Sequence, residues 1–143
     1  MNAALASAAV VVRRTIAASA EDLFDAWLDP KAIAVWMRPG GIKKTTAKVD
    51  ARVGGRYEII MQGDSTFPHT GEYRVIDRPK RLVFTWISNG TEQHESLVTV
   101  DFLRTGQQTE VVVTHEQLPQ SQRTSHTNGW TSALEHLDET YAA

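Results

Sequence analysis

The chain has 143 residues, of which 41% are hydrophobic and 22% are charged, as expected of one globular domain spanning residues 1–143. The net charge of −2, with scattered charged residues, excludes the basic footprint of a nucleic-acid-binding protein. The absence of cysteine excludes disulfides and thiolate chemistry. The most apolar N-terminal stretch is about half as long as a membrane-spanning helix and follows no basic residue. We therefore expect a cytoplasmic protein without membrane insertion.

Two short helices are predicted near the N terminus, after a β-branched strand over residues 9–16. The first helix covers residues 19–30, because Ser19 is a favourable N-cap and acidic residues occupy the first turn. A proline ends its helical pattern. The second helix covers residues 31–37 and stops at the Pro-Gly-Gly sequence that follows.

Alternation of apolar and polar residues then replaces the helical period. Tyr57, Ile59 and Met61 share one face of a strand, which predicts that this face is buried. We interpret residues 64–70 as a loop and residues 89–93, Asn-Gly-Thr-Glu-Gln, as a hairpin turn. Six antiparallel strands are predicted over residues 43–50, 53–63 (beginning with a turn), 71–79, 81–88, 96–104 and 109–118.

A long helix is predicted from about residue 121 to the C terminus, and its apolar residues form one stripe. The stripe consists of His126, Trp130, Leu134, Leu137 and Tyr141. Gly129 borders the stripe, although glycine inside a helix costs about 0.5–1 kcal/mol relative to alanine. Gly129 either allows a neighbouring strand to pack closely or borders a pocket of which Trp130 is a wall. One large sheet with one long helix to cover it predicts an α+β fold.

Recognisable motifs for catalysis and metal binding are missing. The five histidines show no HExxH or similar spacing, there is no GxSxG, and alternation places Glu72 and Glu110 away from the buried face. We therefore predict no catalytic residue, no metal and no cofactor. His115 is either a buried, hydrogen-bonded histidine or a group that points into a cavity. His126 lies at a cavity mouth or is simply a polar residue of the first helical turns.

Five segments resemble, in order and spacing, the family of activator of heat-shock-protein-90 ATPase homologues, within the START-like (SRPBCC) helix-grip superfamily. The segments are LFDAWLDPKAIAVWMRPGG, VDARVGGRYEI, HTGEYRVIDRPKRLVFTW, TEVVVTHEQL and HTNGWTSALEHL. The resemblance extends from about Val10 to Leu137. It implies a helix-grip fold, in which a curved antiparallel sheet wraps around the long C-terminal helix with a cavity between them. Asp50 and Arg52 resemble the family's acidic-x-Arg pattern, for which we expect a structural salt bridge or a turn bond.

The implied cavity leads to a prediction of its lining, since ligand cavities are apolar with few polar groups. The predicted ligand-binding residues are Trp36, Tyr57, Tyr73, Phe84, Trp86, Val98, Val100, His115, His126, Trp130 and Leu134. The function that follows is binding of a small apolar or amphipathic molecule.

Two alternative functions stay open, because helix-grip proteins include binders, transfer proteins and enzymes. One is a cyclase-like or hydrolase-like enzyme that uses a cavity histidine. The other is a chaperone-associated stress protein, as the family name implies. We favour chaperone contact least, because eukaryotic activators carry an additional N-terminal domain and 143 residues hold only the helix-grip domain. An exposed Trp36-Met37 pair would also offer a surface for a homodimer.

Overall fold

The protein is described here by a computed structural model that covers residues 9–142. Its strands are β1 Val10–Ile16, β2 Lys44–Val49, β3 Arg56–Gln62, β4 Thr66–Asp77, β5 Arg81–Trp86, β6 Ser96–Thr105 and β7 Gln108–Glu116. Its α-helices are α1 Ala20–Ala26, α2 Pro30–Trp36 and α3 Arg123–Tyr141, and 3-10 turns cover Asn89–Thr91 and Gln120–Gln122.

The strands of the described residues form one seven-stranded antiparallel sheet, in the order β1-β7-β6-β5-β4-β3-β2. The sheet curls into a half-barrel around α3, which confirms the predicted α+β helix-grip fold. Burial alternates along the strands as a half-buried sheet requires. Along β6 the buried residues are Ser96, Val98, Val100 and Phe102.

The C-terminal helix buries the stripe that its spacing predicts. Trp130, Leu134 and Leu137 are at most 5% exposed, and together with Ala133 they complete the core. His126 and Tyr141, at the two ends of the stripe, are half-buried. The helix therefore closes the open side of the curled sheet, and its first turns lie at one end of the core.

Side-chain caps position the two short helices, of which the sequence predicts only the one at Ser19; Asp29 and Pro30 begin α2, and α1 already ends at Ala26. The Ser19 hydroxyl accepts a hydrogen bond from the Asp22 N–H at 3.0 Å, and Asp29 caps α2 by accepting from the Lys31 N–H at 3.0 Å. Each cap satisfies a backbone N–H that has no partner within its helix. Asp50 and Arg52 form the expected ion pair, at 2.9 Å.

Residues 64–70 are not the loop that their polar composition suggests, because β4 already begins at Thr66. Phe67 and Pro68 pair with Met61 and Ile60 of β3. At this point β4 does not yet pair with β5, whose ladder to β4 starts at Tyr73. A proline fits a strand that has a free side, so pairing with β3 outweighs the loop-like composition.

The hairpin between β5 and β6 is longer than a tight turn. Residues 89–91 form a 3-10 turn, which Ser88 and Thr91 hold with a reciprocal capping box. Glu92 and Gln93 follow in the left-handed region, with φ of 56° and 59°. The chain therefore reverses within an ordered loop that covers the N-terminal end of α3.

The expectation of an exposed Trp36-Met37 pair is wrong. Trp36 is 0% and Met37 2% exposed. The Trp36 ring lies 4.6 Å from that of Trp27, and its indole N–H donates to the carbonyl of Ala26 at 2.9 Å. Because α2 folds back onto the end of α1, the aromatic end of α2 packs inward and offers no surface for a homodimer.

Candidate ligand-binding cavity

An open cavity of about 150 Å³ lies between the middle of α3, the end of α2 and the inner face of the sheet. It is lined by Met37, Pro39, Met61, Trp86, Ser125, His126, Gly129, Trp130 and Ala133. On α3 the small residues Ser125, Gly129 and Ala133 follow one another at intervals of four, beside the bulkier His126 and Trp130. This spacing places the small residues on one face of the helix, where they leave room for the cavity.

Gly129 borders this space. A Cβ atom built on Gly129 would meet only the Cβ of Pro39, at 4.0 Å, which is an ordinary contact. At Gly71, by contrast, a Cβ would collide with the backbone of Thr85 and the ring of Tyr57. Gly71 is thus a glycine of close packing, and Gly129 is a glycine beside a pocket.

Deeper in the core, a second space of about 10 Å³ lies among aromatic side chains. It is lined by Trp27, Met37, Tyr57, Ile59, Tyr73, Phe84 and Trp86. A volume of this size holds about one water molecule. The protein's own aromatic rings therefore nearly fill the deep part of the space between sheet and helix, whereas the space beside Gly129 is open. We call these two spaces the outer and the inner cavity.

His115 is fully buried and is held in a chain of hydrogen bonds. The Trp130 indole N–H donates to its Nδ1 at 3.0 Å, so the ring proton lies on Nε2, which contacts the Ser96 hydroxyl at 2.7 Å. Ser96 donates in turn to the Trp86 carbonyl. Burial, followed by the proximity of His126, lowers the pKa of His115 to about 3. His115 is thus a neutral residue that orients Trp130.

His126 is the titratable residue that lines the outer cavity. Its Nδ1 donates to the Gln122 carbonyl at 2.8 Å, which leaves Nε2 as the acceptor nitrogen. Burial lowers the pKa of His126 as well, against a raising effect of the Gln122 bond. The His115 and His126 rings lie 5.0 Å apart, edge to face. The two rings can lie this close to each other because neither carries a positive charge.

His69 packs beside Trp86, one of the residues that line the outer cavity. Its ring lies 4.6 Å from that of Trp86, and its Nδ1 contacts the Ile59 carbonyl at 3.3 Å. Burial lowers the pKa of His69 to about 4. The Trp86 ring therefore has the neutral His69 ring as one neighbour and the Trp130 ring, at 5.3 Å, as another.

The predicted ligand-binding residues fall into three groups. Those that line the outer cavity are Trp86, His126 and Trp130. Those that line the inner cavity are Tyr57, Tyr73, Phe84 and again Trp86. Those that line neither space and pack in the core are Trp36, Val98, Val100, His115 and Leu134.

Several residues that line the outer cavity are not among the predicted ones, namely Met37, Pro39, Met61, Ser125 and Ala133. Alternation had already placed Met61 on the inner face of its strand. The stripe of small residues on α3 was a further signal, because small side chains at intervals of four expose the helix backbone. Nothing local to Pro39 indicates that its segment crosses to α3, where the Gly40 N–H donates to the Ser132 hydroxyl at 3.0 Å.

Residues 17–142 match the sequence model of the family described as activator of Hsp90 ATPase homolog 1-like protein. The chain belongs to this family. The match covers nearly all of the described residues and confirms the resemblance of the five sequence segments. No curated protein matches the chain.

Solved structures similar to this Hsp90-activator-like chain confirm the fold. A protein from Chromobacterium violaceum has a TM-score of 0.82 at 22% identity, covering 94% of this chain and 97% of that one. A protein from Rhodobacter sphaeroides has a TM-score of 0.81 at 25% identity, covering 94% and 92%. An HSP90 activator from Plasmodium falciparum has a TM-score of 0.72 at 24% identity, covering 92% and 94%.

Two further findings concern the described residues alone. Among residues 9–142, no three histidine, aspartate or glutamate side chains come together in a group that could hold a metal ion. Within the same range, no helix combines the length and the apolar character that crossing a membrane requires.

Proposed function

We propose that this protein binds a small apolar or amphipathic molecule, one ring of which occupies the outer cavity beside Gly129. The observation that carries the proposal is the open space of about 150 Å³ at a helix glycine whose missing side chain would meet only Pro39. An apolar cavity of about 150 Å³ is large enough to take up benzene. Glycine destabilises a helix interior relative to alanine. Its presence next to open space is therefore consistent with a site that is kept empty for a ligand.

The side chains around the outer cavity favour an uncharged ring. Met37, Met61 and Trp130 supply apolar and polarizable surface, and methionine adapts its shape to different ligands. Among residues 9–142, no lysine, arginine, aspartate or glutamate lines this space. Burying a charge without a partner is costly, so the part of the ligand that enters should be neutral.

A matched pair of variants tests the proposal. Gly129→Leu should block the cavity, whereas Gly129→Ala adds only a Cβ with room around it and should leave the cavity open. Binding of benzene and indole would be measured through the fluorescence of the tryptophans and through NMR shifts of their indole protons. We expect the wild type and Gly129→Ala to bind with similar affinity and Gly129→Leu to lose at least tenfold.

Two results would contradict the proposal. The first is that neither probe binds the wild-type protein at millimolar concentration. The second is that Gly129→Leu binds as well as Gly129→Ala, which would place the binding site elsewhere. If the probes do bind as expected, native mass spectrometry of the protein purified from cells would identify the natural ligand, which the proposal predicts to be retained.

His126 favours a second candidate function, an enzyme with a cavity histidine. Its Nδ1 is engaged by Gln122, so Nε2 is free to accept a proton from a molecule in the cavity. In that case His126→Gln should abolish turnover of a substrate while ring binding persists. Retained turnover in His126→Gln would remove this candidate without affecting the binding proposal.

A further inference from the structure

Two of the four tryptophans have a buried indole N–H without a partner. Trp27 and Trp86 are 3% and 4% exposed, and within the described residues their Nε1 atoms have no hydrogen-bond partner. The other two differ, because Trp36 donates to the Ala26 carbonyl at 2.9 Å and Trp130 donates to His115 at 3.0 Å. Buried donors in native proteins are nearly always paired, so two orphans in one place call for an explanation.

Both orphan indoles line the inner cavity, the space of about 10 Å³. That volume admits one terminal oxygen atom of a ligand or one water molecule. The neighbouring Tyr57 hydroxyl is already used, since it donates to the Thr85 carbonyl at 2.5 Å. Two unused donors are therefore carried by side chains that line this space, and the space is too small for a ring.

The inner and outer cavities are neighbours. Met37 and Trp86 line both of them, so these two side chains form the partition. Methionine is unbranched and changes rotamer easily, which allows a small group to pass beside Met37. A ring in the outer cavity could thus extend one substituent towards the two indoles.

We propose that the ligand carries a neutral carbonyl-type oxygen, which enters the inner cavity and accepts hydrogen bonds from the indole N–H groups of Trp27 and Trp86. This inference rests on the proposed binding of a ring in the outer cavity. A carbonyl oxygen has two lone pairs for two donors and brings no proton that needs an acceptor. A carboxylate fits less well, because no lysine or arginine of the described part of the chain lines either space. The ligand class is therefore a small aromatic ketone, amide or quinone.

The test compares two probes of the same shape, acetophenone and α-methylstyrene, which differ by a carbonyl oxygen against a methylene carbon. We expect wild-type protein to bind acetophenone about tenfold more tightly, which corresponds to about 1.4 kcal/mol. In 15N-edited spectra, acetophenone should shift the indole protons of Trp27 and Trp86 downfield. The Trp36 signal should stay in place, because its N–H is already paired.

Tryptophan-to-phenylalanine variants provide the matched controls. Trp27→Phe and Trp86→Phe should each reduce the preference for acetophenone, towards equal binding of the two probes. Trp36→Phe makes the same chemical change at a paired indole outside both cavities and should keep the preference. If the cavity variants unfold, the indole shifts of the wild-type protein decide the question alone.

The outcomes separate the two proposals. Equal affinity for both probes without downfield shifts of Trp27 and Trp86 would overturn the carbonyl inference and leave ring binding intact. A preference that Trp86→Phe and Trp27→Phe both retain would overturn it as well. Failure of both probes to bind would instead contradict the proposed function itself.

Discussion

Replacing Gly129 by leucine distinguishes a ligand cavity from a packing site more directly than any other change in the chain. The new Cβ would lie 4.0 Å from Pro39 and near no other atom, so the remaining carbons can enter the outer cavity of about 150 Å³ without displacing backbone. In a tightly packed core the same change would cost about 1–3 kcal/mol through overpacking.

The expected free-energy change follows from two contributions. Replacing glycine by a good helix former inside α3 stabilises the folded state by about 0.8–1 kcal/mol. Each methylene removed from water adds about 0.8 kcal/mol, and an open cavity removes only part of the leucine surface. We therefore expect no loss of stability and a gain of up to about 2 kcal/mol, together with loss of ring binding.

Thermal and urea denaturation of wild type, Gly129→Ala and Gly129→Leu would measure this. A gain of about 2 kcal/mol raises Tm by roughly 7 °C in a domain of this size. Gly129→Ala should show the helix contribution alone, about 1 kcal/mol. A loss of more than about 1 kcal/mol in Gly129→Leu would refute the reasoning, because it would mean that Gly129 serves close packing.

Three further predictions concern the surroundings of the cavity. Trp130→Ala should lower the free energy of unfolding by about 3–5 kcal/mol, measured by urea denaturation. The reason is that it removes a buried ring and leaves His115 without its hydrogen-bond donor. A loss below about 1 kcal/mol would contradict this prediction. His115 has a folded-state pKa of about 3 against 6.5 unfolded, so the unfolded chain binds the extra proton and stability falls with pH below 6.5. This group should cost about 2 kcal/mol between pH 7 and pH 5, and a His115 Cε1 proton signal that titrates near pH 6.5 in the folded protein would disprove it. EDTA should leave the Tm unchanged, and a stoichiometric metal in elemental analysis would show this prediction to be wrong.

Much of the fold could be predicted because local patterns report which face of an element is buried. The alternation through Tyr57, Ile59 and Met61 and the helical spacing of Trp130, Leu134 and Leu137 both match the observed burial. The cap at Ser19 likewise acts within its own helix turn. Such signals depend on residues that are close to one another in the chain, and these can be identified from the sequence alone.

The candidate site was predicted only in part, because periodicity shows that a side chain points inward and not what lies opposite it. Val98, Val100 and Leu134 point inward like Trp86, yet they pack against other side chains while Trp86 faces the cavities. His115 was recognised as inward-facing, but its bonds to Trp130 and Ser96 join elements distant in the chain.

The amino-acid sequence by itself determined most of the elements, their order and most of the faces they bury, since these follow from backbone sterics, capping and hydrophobic periodicity over a few residues. Only the tertiary structure decided that Trp36 is buried by the fold-back of α2, that residues 66–69 pair with β3, and that Pro39 reaches Gly129. It also decided that the deep core is filled while the space at Gly129 stays open. The physical reason is that a cavity is the volume left after distant side chains have packed, and that remainder has no signature in any single stretch of chain.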